Sequence, residues 1–163
     1  MKLKLCDAKS LDIVKTFECG QCFRWNANDK GVYTGVVGRY LAEVETVDNE
    51  VYITSDAPAE MWADYFDLAT DYAAVSADFT GEYLHECIDY GMGIRILRQD
   101  SWEALCSFII SQCNNITRIK GIVERLCEQF GDKCETNGVD YYTFPSAERL
   151  AALRPSDLAG IRS

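Results

Sequence analysis

The sequence predicts an α+β fold in which an antiparallel sheet comes first and helices follow. Three observations point to it. Between residues 32 and 54, β-branched and aromatic residues alternate with polar ones in three short runs. After Asp56 the apolar period becomes helical, and further on capped helix starts and glycine stops recur. The change of pattern at Asp56 predicts a sheet-forming part first and a helical part after it.

Taken in order, residues 1–55 read as strands. Val32 to Val37, Tyr40 to Val47 and Val51 to Thr54 suit a half-buried antiparallel sheet, with turns at Gly38 and Asp48-Asn49, so a meander is expected. Pro58 can open a helix carrying Met61, Trp62, Tyr65 and Phe66 at helical spacing. Leu84, Cys87 and Ile88 mark another, closed by Gly91 and Gly93. The clearest helix starts at Asp100, an N-cap with Glu103 placed for a capping box. Trp102, Leu105, Cys106, Phe108, Ile109 and Ile110 cover most of its circumference, which predicts a core position.

Cys113-Asn114-Asn115 breaks that helix. The next one runs to Phe130 with Ile116, Ile119, Val123, Leu126 and Cys127 on one face, and Gly131 ends it. A loop or hairpin around Asn137-Gly138 follows, then a short helix opened by Phe144-Pro145-Ser146. Arg154-Pro155-Ser156-Asp157 begins a last helix that Ser163 cuts off, so the chain is expected to be the front part of a longer one.

Composition narrows the class. With 48% hydrophobic residues and only 3 prolines, a packed core is expected rather than disorder. No apolar run approaches the ~20 residues needed to span a bilayer. The N-terminus has no apolar stretch of secretory type, and 8 cysteines in a chain large enough to fold without staples fit a reducing cytoplasm. A monomer without cofactor or metal is expected. The net charge of −10 argues against a DNA-coating surface. Yet Arg95, Arg98, Arg118, Lys120 and Arg125 outnumber Asp100, Glu103 and Glu124, so that one segment is basic and could hold a phosphate-facing strip.

Most candidate chemistry has a bland alternative. The single histidine, His85, can build no multi-histidine metal site and reads as a helix-surface residue. Cys19 and Cys22 form a C-x-x-C that could be redox-active or half of a zinc site. A redox pair normally opens a helix, whereas Phe23-Arg24-Trp25 reads as strand, and two further zinc ligands are not evident. Asp64 and Asp67 are paired carboxylates without a visible apolar pocket, so a solvated face is expected.

Two segments carry more. Gly20-Gln21-Cys22-Phe23-Arg24-Trp25, just before the meander, resembles the opening signature of the 8-oxoguanine DNA glycosylase family. Arg98-Gln99-Asp100, Ser107 to Ser111 and Asn114 to Ile119 resemble the family's second landmark in order and spacing, and Val123 to Cys127, Phe130-Gly131 and Phe144-Pro145-Ser146 continue it. The resemblance covers essentially the whole chain. It implies an antiparallel-sheet domain with flanking helices over residues 1–93, followed over residues 94–163 by the first helices of an all-α helix-hairpin-helix glycosylase domain. It also implies a base-excision glycosylase and strand lyase acting on double-stranded DNA that contains oxidised guanine. Family members continue into a Gly/Pro-rich helix-hairpin-helix with a catalytic lysine and an aspartate. No Leu-Pro-Gly-x-Gly run occurs here, and neither Lys120 nor Lys133 sits in such a context, so no catalytic residue is expected in this chain. The alternative is a non-catalytic domain that binds damaged DNA.

By the same resemblance, Gly20 matches the glycine whose carbonyl accepts from N7–H of the oxidised base. Arg118 matches the arginine that reads the opposite cytosine. Cys113 stands where the family has asparagine, a poor exchange for an amide that contacts the estranged base. Asn114 is a further candidate for DNA contact, although Asn114 and Asn115 could instead cap the following helix.

Overall fold

The computed structural model describes residues 1–79 and 81–162. A five-stranded antiparallel sheet has the spatial order β1-β5-β4-β3-β2, made of β1 (Lys2–Asp7), β2 (Trp25–Ala27), β3 (Tyr33–Val37), β4 (Tyr40–Val47) and β5 (Glu50–Ser55). The expected meander is its centre. Asp48 and Asn49 both take positive φ, the type I′ geometry that matches strand twist, and Val47 pairs with Glu50 across them. Alternation decides which face is core: Val51, Ile53 and Ser55 are buried, while Thr54 is exposed.

Residues 1–55 are not all strand, as the sequence pattern had indicated. Ile13–Glu18 form a helix, α1, because the Asp12 carboxylate accepts from Lys15 N at 3.0 Å and caps it. Helix α2 (Ala59–Tyr65) follows Pro58, as expected. Both cover one face of the sheet: Phe17 from α1 and Trp62, Tyr65 and the following Phe66 surround Trp25 and Tyr33. Phe17 stacks on Trp25 at 4.4 Å between centroids. The indole of Trp25 also lies against Gly35, where any Cβ would come within 2.4 Å of the ring, so only glycine fits there.

Two short helices, α3 (Tyr72–Ala77) and α4 (Glu82–Gly91), lead to an extended stretch over residues 94–100. Then come α5 (Ser101–Ser111) and α6 (Ile116–Phe130). On α6 the predicted face is buried at Ile119, Val123, Leu126 and Cys127 and gains Ile122, but Ile116 is 39% exposed. Helix α5 departs further from expectation. Ser107 is its one buried residue, and Leu105, Phe108 and Ile109 are more than half exposed. No described element lies over that face, so an apolar pattern all round does not make this helix a core element here.

The hairpin of β6 (Lys133–Thr136) and β7 (Val139–Tyr142) turns at Asn137-Gly138, as expected. Helix α7 (Ala147–Ala151) is capped by Ser146, whose Oγ accepts from Arg149 N. The last element, Pro155–Arg162, is 3₁₀ rather than α-helical, and the expected continuation to Ser163 lies outside the described residues. Among the described residues, no helix is long and apolar enough to cross a membrane.

Candidate nucleic-acid interface

The hexapeptide Gly20 to Trp25 joins the two halves of the molecule. Cys22 and Trp25 belong to the sheet core, whereas Phe23 packs with Ile119, Val123 and Cys127 in the helical core. Only Trp25 lies in β2; Phe23 and Arg24, which resemble strand in sequence, are non-regular because each is drawn to a different surface. Arg24 is buried, 4% exposed, and donates from Nη2 to Tyr142 O at 2.6 Å. Its Nε and Nη1 are buried without a hydrogen-bond partner among the described residues. Arg24 borders a cavity of about 20 Å³, room for one water-sized molecule, lined also by Tyr65, Gln99, Asp100 and Glu103.

Asp100 caps α5 as the sequence indicated, accepting from Trp102 N and Glu103 N. The reciprocal half of a capping box is absent among the described residues, because Glu103 borders the Arg24 cavity instead. Burial pushes the Glu103 carboxyl up to about 7; the Arg24 guanidinium opposes this, and the carboxylates of Asp100 and Glu124 add to it.

Gly20 stands at the exposed tip of the hexapeptide with φ +87, and a Cβ built there would meet nothing within 4 Å. A backbone carbonyl in such a turn can be approached closely from outside. Cys19 is the C-cap of α1, not the opening of a helix, so the helix dipole gives its thiol none of the help a redox pair needs. Cys22 is buried and its thiol is pushed up to about 12 by burial, the reverse of an activated nucleophile. Among the described residues no group of three metal-ligating side chains occurs.

On the helical side, Cys113 lies at the α5–α6 corner with φ +53 and an exposed side chain. Asn114 donates from Nδ2 to Ile110 O and accepts from Asn115 N, so it braces the corner. Asn115 caps α6, accepting from Arg118 N at 3.0 Å. Arg118 itself is exposed on the first turn.

The predicted basic strip is not a strip. Arg95 is buried and donates to Ser10 O, Asp67 O and Thr70 O. Arg98 is committed to Asp67 at 2.8 Å and lies 3.8 Å from Asp64. Arg98 holds the Asp67 carboxyl below the usual carboxylate range, so Asp67 is braced, whereas the Asp64 side chain is 72% exposed, the solvated face that the sequence suggested. Lys120 pairs with Glu18 and donates to Trp25 O, and Arg125 donates to Ile161 O. Arg118 is the one cation of the five whose side chain makes no hydrogen bond or ion pair with a described residue. Charge counting could not see this, because internal and external cations contribute alike. Gln21, Arg24 and Glu103 also escaped sequence reasoning as site-shaping residues, although the first two sit inside the recognised hexapeptide.

Residues 4–105 match the family described as 8-oxoguanine DNA glycosylase, N-terminal domain. The chain is 28% identical over 151 residues to the N-glycosylase/DNA lyase OGG1 of Arabidopsis thaliana, covering 86% of this chain and 41% of that protein. It superposes on the structure of MBOgg1 in complex with a low affinity DNA ligand with a TM-score of 0.89 at 39% identity, covering 99% of this chain and 57% of that one. The Clostridium acetobutylicum 8-oxoguanine glycosylase/lyase in complex with double-stranded DNA containing cytosine opposite 8-oxoguanine gives 0.87 at 34% identity, covering 99% and 59%. The chain thus spans about two fifths to three fifths of the length of these relatives.

Proposed function

The chain belongs to the 8-oxoguanine DNA glycosylase family, and on that premise we propose that it is the base-reading part of a DNA N-glycosylase and abasic-site lyase acting on oxidised guanine in duplex DNA. The observation that carries this reading is the contrast between its two exposed points. Gly20 presents an open turn at φ +87, and Arg118 alone among the cations of its segment has no side-chain hydrogen bond or ion pair with a described residue. Residues 1–93 supply the first point and residues 94–163 the second.

In this reading the damaged nucleotide leaves the stack, at a cost of roughly a few kcal/mol. The Gly20 carbonyl accepts from N7–H of the oxidised base. Unmodified guanine offers a bare acceptor at N7, so two acceptors would face each other with a penalty of about 1–3 kcal/mol. Arg118 remains with the partner strand and reads cytosine, with Asn114 holding the corner and Cys113 beside the gap. None of the lysines acts as the nucleophile; Lys120 is engaged with Glu18 and Trp25 O. The eight free thiols suit a reducing, cytoplasmic location beside the DNA.

A second reading, a damaged-DNA-binding domain without turnover, is favoured by that engagement of Lys120. The encoding reading frame separates them: continuation past Ser163 into a helix-hairpin-helix with a lysine is expected under the first reading and not under the second. An experiment on the chain alone tests what both readings share. The 163-residue chain is mixed with duplex carrying 8-oxoguanine opposite cytosine and treated with borohydride. No covalent adduct and no strand cleavage are expected, while binding is weak and steeply salt-dependent because an acidic surface repels phosphates. A trapped adduct would show a reactive amine and overturn the assignment. Sub-micromolar affinity at physiological salt would overturn the electrostatic part.

A further inference from the structure

A Cβ at Gly20 would meet nothing within 4 Å, so that side of the turn is open. The residue that follows Gly20 has many hydrogen-bond partners. The Gln21 amide donates from Nε2 to Thr16 O at 3.0 Å and to Arg95 O at 2.8 Å, and its Oε1 accepts from Leu97 N at 2.9 Å. Its main-chain carbonyl accepts from Gln99 Nε2 at 2.6 Å. Thr16 lies in α1, just before the turn. Arg95 and Leu97 meet Gln21 through main-chain atoms and Gln99 through its side chain, so three residues of the 94–100 segment hold it.

That segment is itself immobilised. The buried Arg95 guanidinium is bonded to three main-chain carbonyls, and Leu97 is a core residue. The Gly20 turn is therefore joined covalently to a capped helix on one side and clamped by Gln21 to a rigid strut on the other. Discrimination through a single carbonyl needs such a fixture, because a hydrogen bond weakens steeply outside about 2.7–3.2 Å.

We infer that Gln21 is a positioning residue for the Gly20 carbonyl and sets how sharply the site separates oxidised guanine from guanine. This rests on the reading of Gly20 given above. The chemistry selects this side chain. Glutamate keeps the shape but turns a carboxylate toward two carbonyls, and methionine keeps the bulk but loses every amide bond. Asparagine is one methylene short of the strut.

The test uses the whole chain carrying Gln21→Glu, Gln21→Met or Gln99→Leu, the last removing only the clamp on the Gln21 carbonyl. Affinities are measured at fixed salt for two duplexes that differ only in 8-oxoguanine or guanine opposite cytosine, alongside thermal unfolding and exchange of the Leu97 amide. Both Gln21 variants are expected to lower the ratio of the two affinities about 5- to 10-fold, the scale of one lost hydrogen bond. Affinity for the undamaged duplex stays unchanged, and Leu97 exchanges faster. Gln99→Leu shifts the ratio the same way by less. If both affinities fall together and the ratio is kept, Gln21 is merely structural and the inference is overturned, with the Gly20 reading intact. If the unsubstituted chain binds both duplexes equally, the Gly20 reading fails and takes the inference with it.

Discussion

Lys120 and Glu18, 102 residues apart, are joined by an ion pair of 3.1 Å. The same ammonium donates to Trp25 O at 2.8 Å. Glu18 ends α1 two residues before Gly20, and Lys120 follows Arg118 by two residues in α6. One side chain therefore ties together the supports of both proposed recognition points. The carboxylate is 40% exposed and contributes modestly; the carbonyl bond inside the protein matters more. Lys120→Met should lower stability by about 1–2 kcal/mol, seen in urea as a lower midpoint with an unchanged slope. An unchanged midpoint would mean that the two halves are held by packing alone.

Glu103 gives the molecule a distinctive pH response. Its carboxyl is raised from 4.5 to about 7 in the folded state. Between those values the folded chain holds a proton that the unfolded chain has lost, so stability falls as pH rises. The contribution is fully present below 4.5 and gone above about 7. Glu103→Gln should remove this slope and stabilise the protein by about 3 kcal/mol at pH 8. Parallel urea series at pH 5 and pH 8 check it; equal pH dependence in both proteins would contradict the assignment.

The Arg118 side chain makes no hydrogen bond or ion pair with a described residue, so Arg118→Ala should leave stability within about 0.5 kcal/mol. Its proposed effect is on recognition. Preference for cytosine opposite the lesion should relax by about 1–3 kcal/mol, measured by competition among duplexes with each of the four opposite bases. A retained cytosine preference would remove Arg118 from the site and direct attention to Cys113.

Gly20→Ala separates strain from access. The new Cβ touches nothing in the protein, but φ +87 is a region that L-residues avoid. A stability loss of about 1–2 kcal/mol is expected from the backbone alone. Gly20→Val should cost more, and it should exclude the oxidised base while sparing undamaged duplex. Titration of both duplexes against both variants reads the difference.

Cys113 occupies the left-handed region at φ +53, where asparagine is at ease and cysteine is not. Cys113→Asn should raise stability by roughly 0.5–1 kcal/mol and restore an amide beside the partner strand. A thermal scan and the opposite-base competition together test both effects. Destabilisation would show that the corner depends on the thiol.

The meander was legible because half-burial writes an alternation into Val51, Tyr52, Ile53 and Thr54. Caps at Asp100 and Ser146 were legible for the same local reason. Helix α1 was missed because six residues between strand-like stretches leave too short a period to detect. The exposure of Phe108 and Ile109 could not be read, since burial depends on what lies opposite and not on the residue. In the site, motif resemblance pointed to Gly20 and Arg118. The duties of Gln21, Arg24 and Lys120 depend on partners 74 to 118 residues away, which no local pattern records.

Cys22, Phe23, Arg24 and Trp25 send successive side chains to the sheet core, the helical core, the cavity and the sheet core again. Such a run tolerates exchange of one residue for another of like size, but not a change of length. Inserting or deleting a single residue between Gly20 and Trp25 would deliver every following side chain to the wrong destination, with a guanidinium in an apolar core and an indole beside Glu103. This stretch is therefore expected to vary over evolutionary time only by substitution. Length changes should instead accumulate at open turns such as Asn28 to Gly31, whose residues are solvent-exposed.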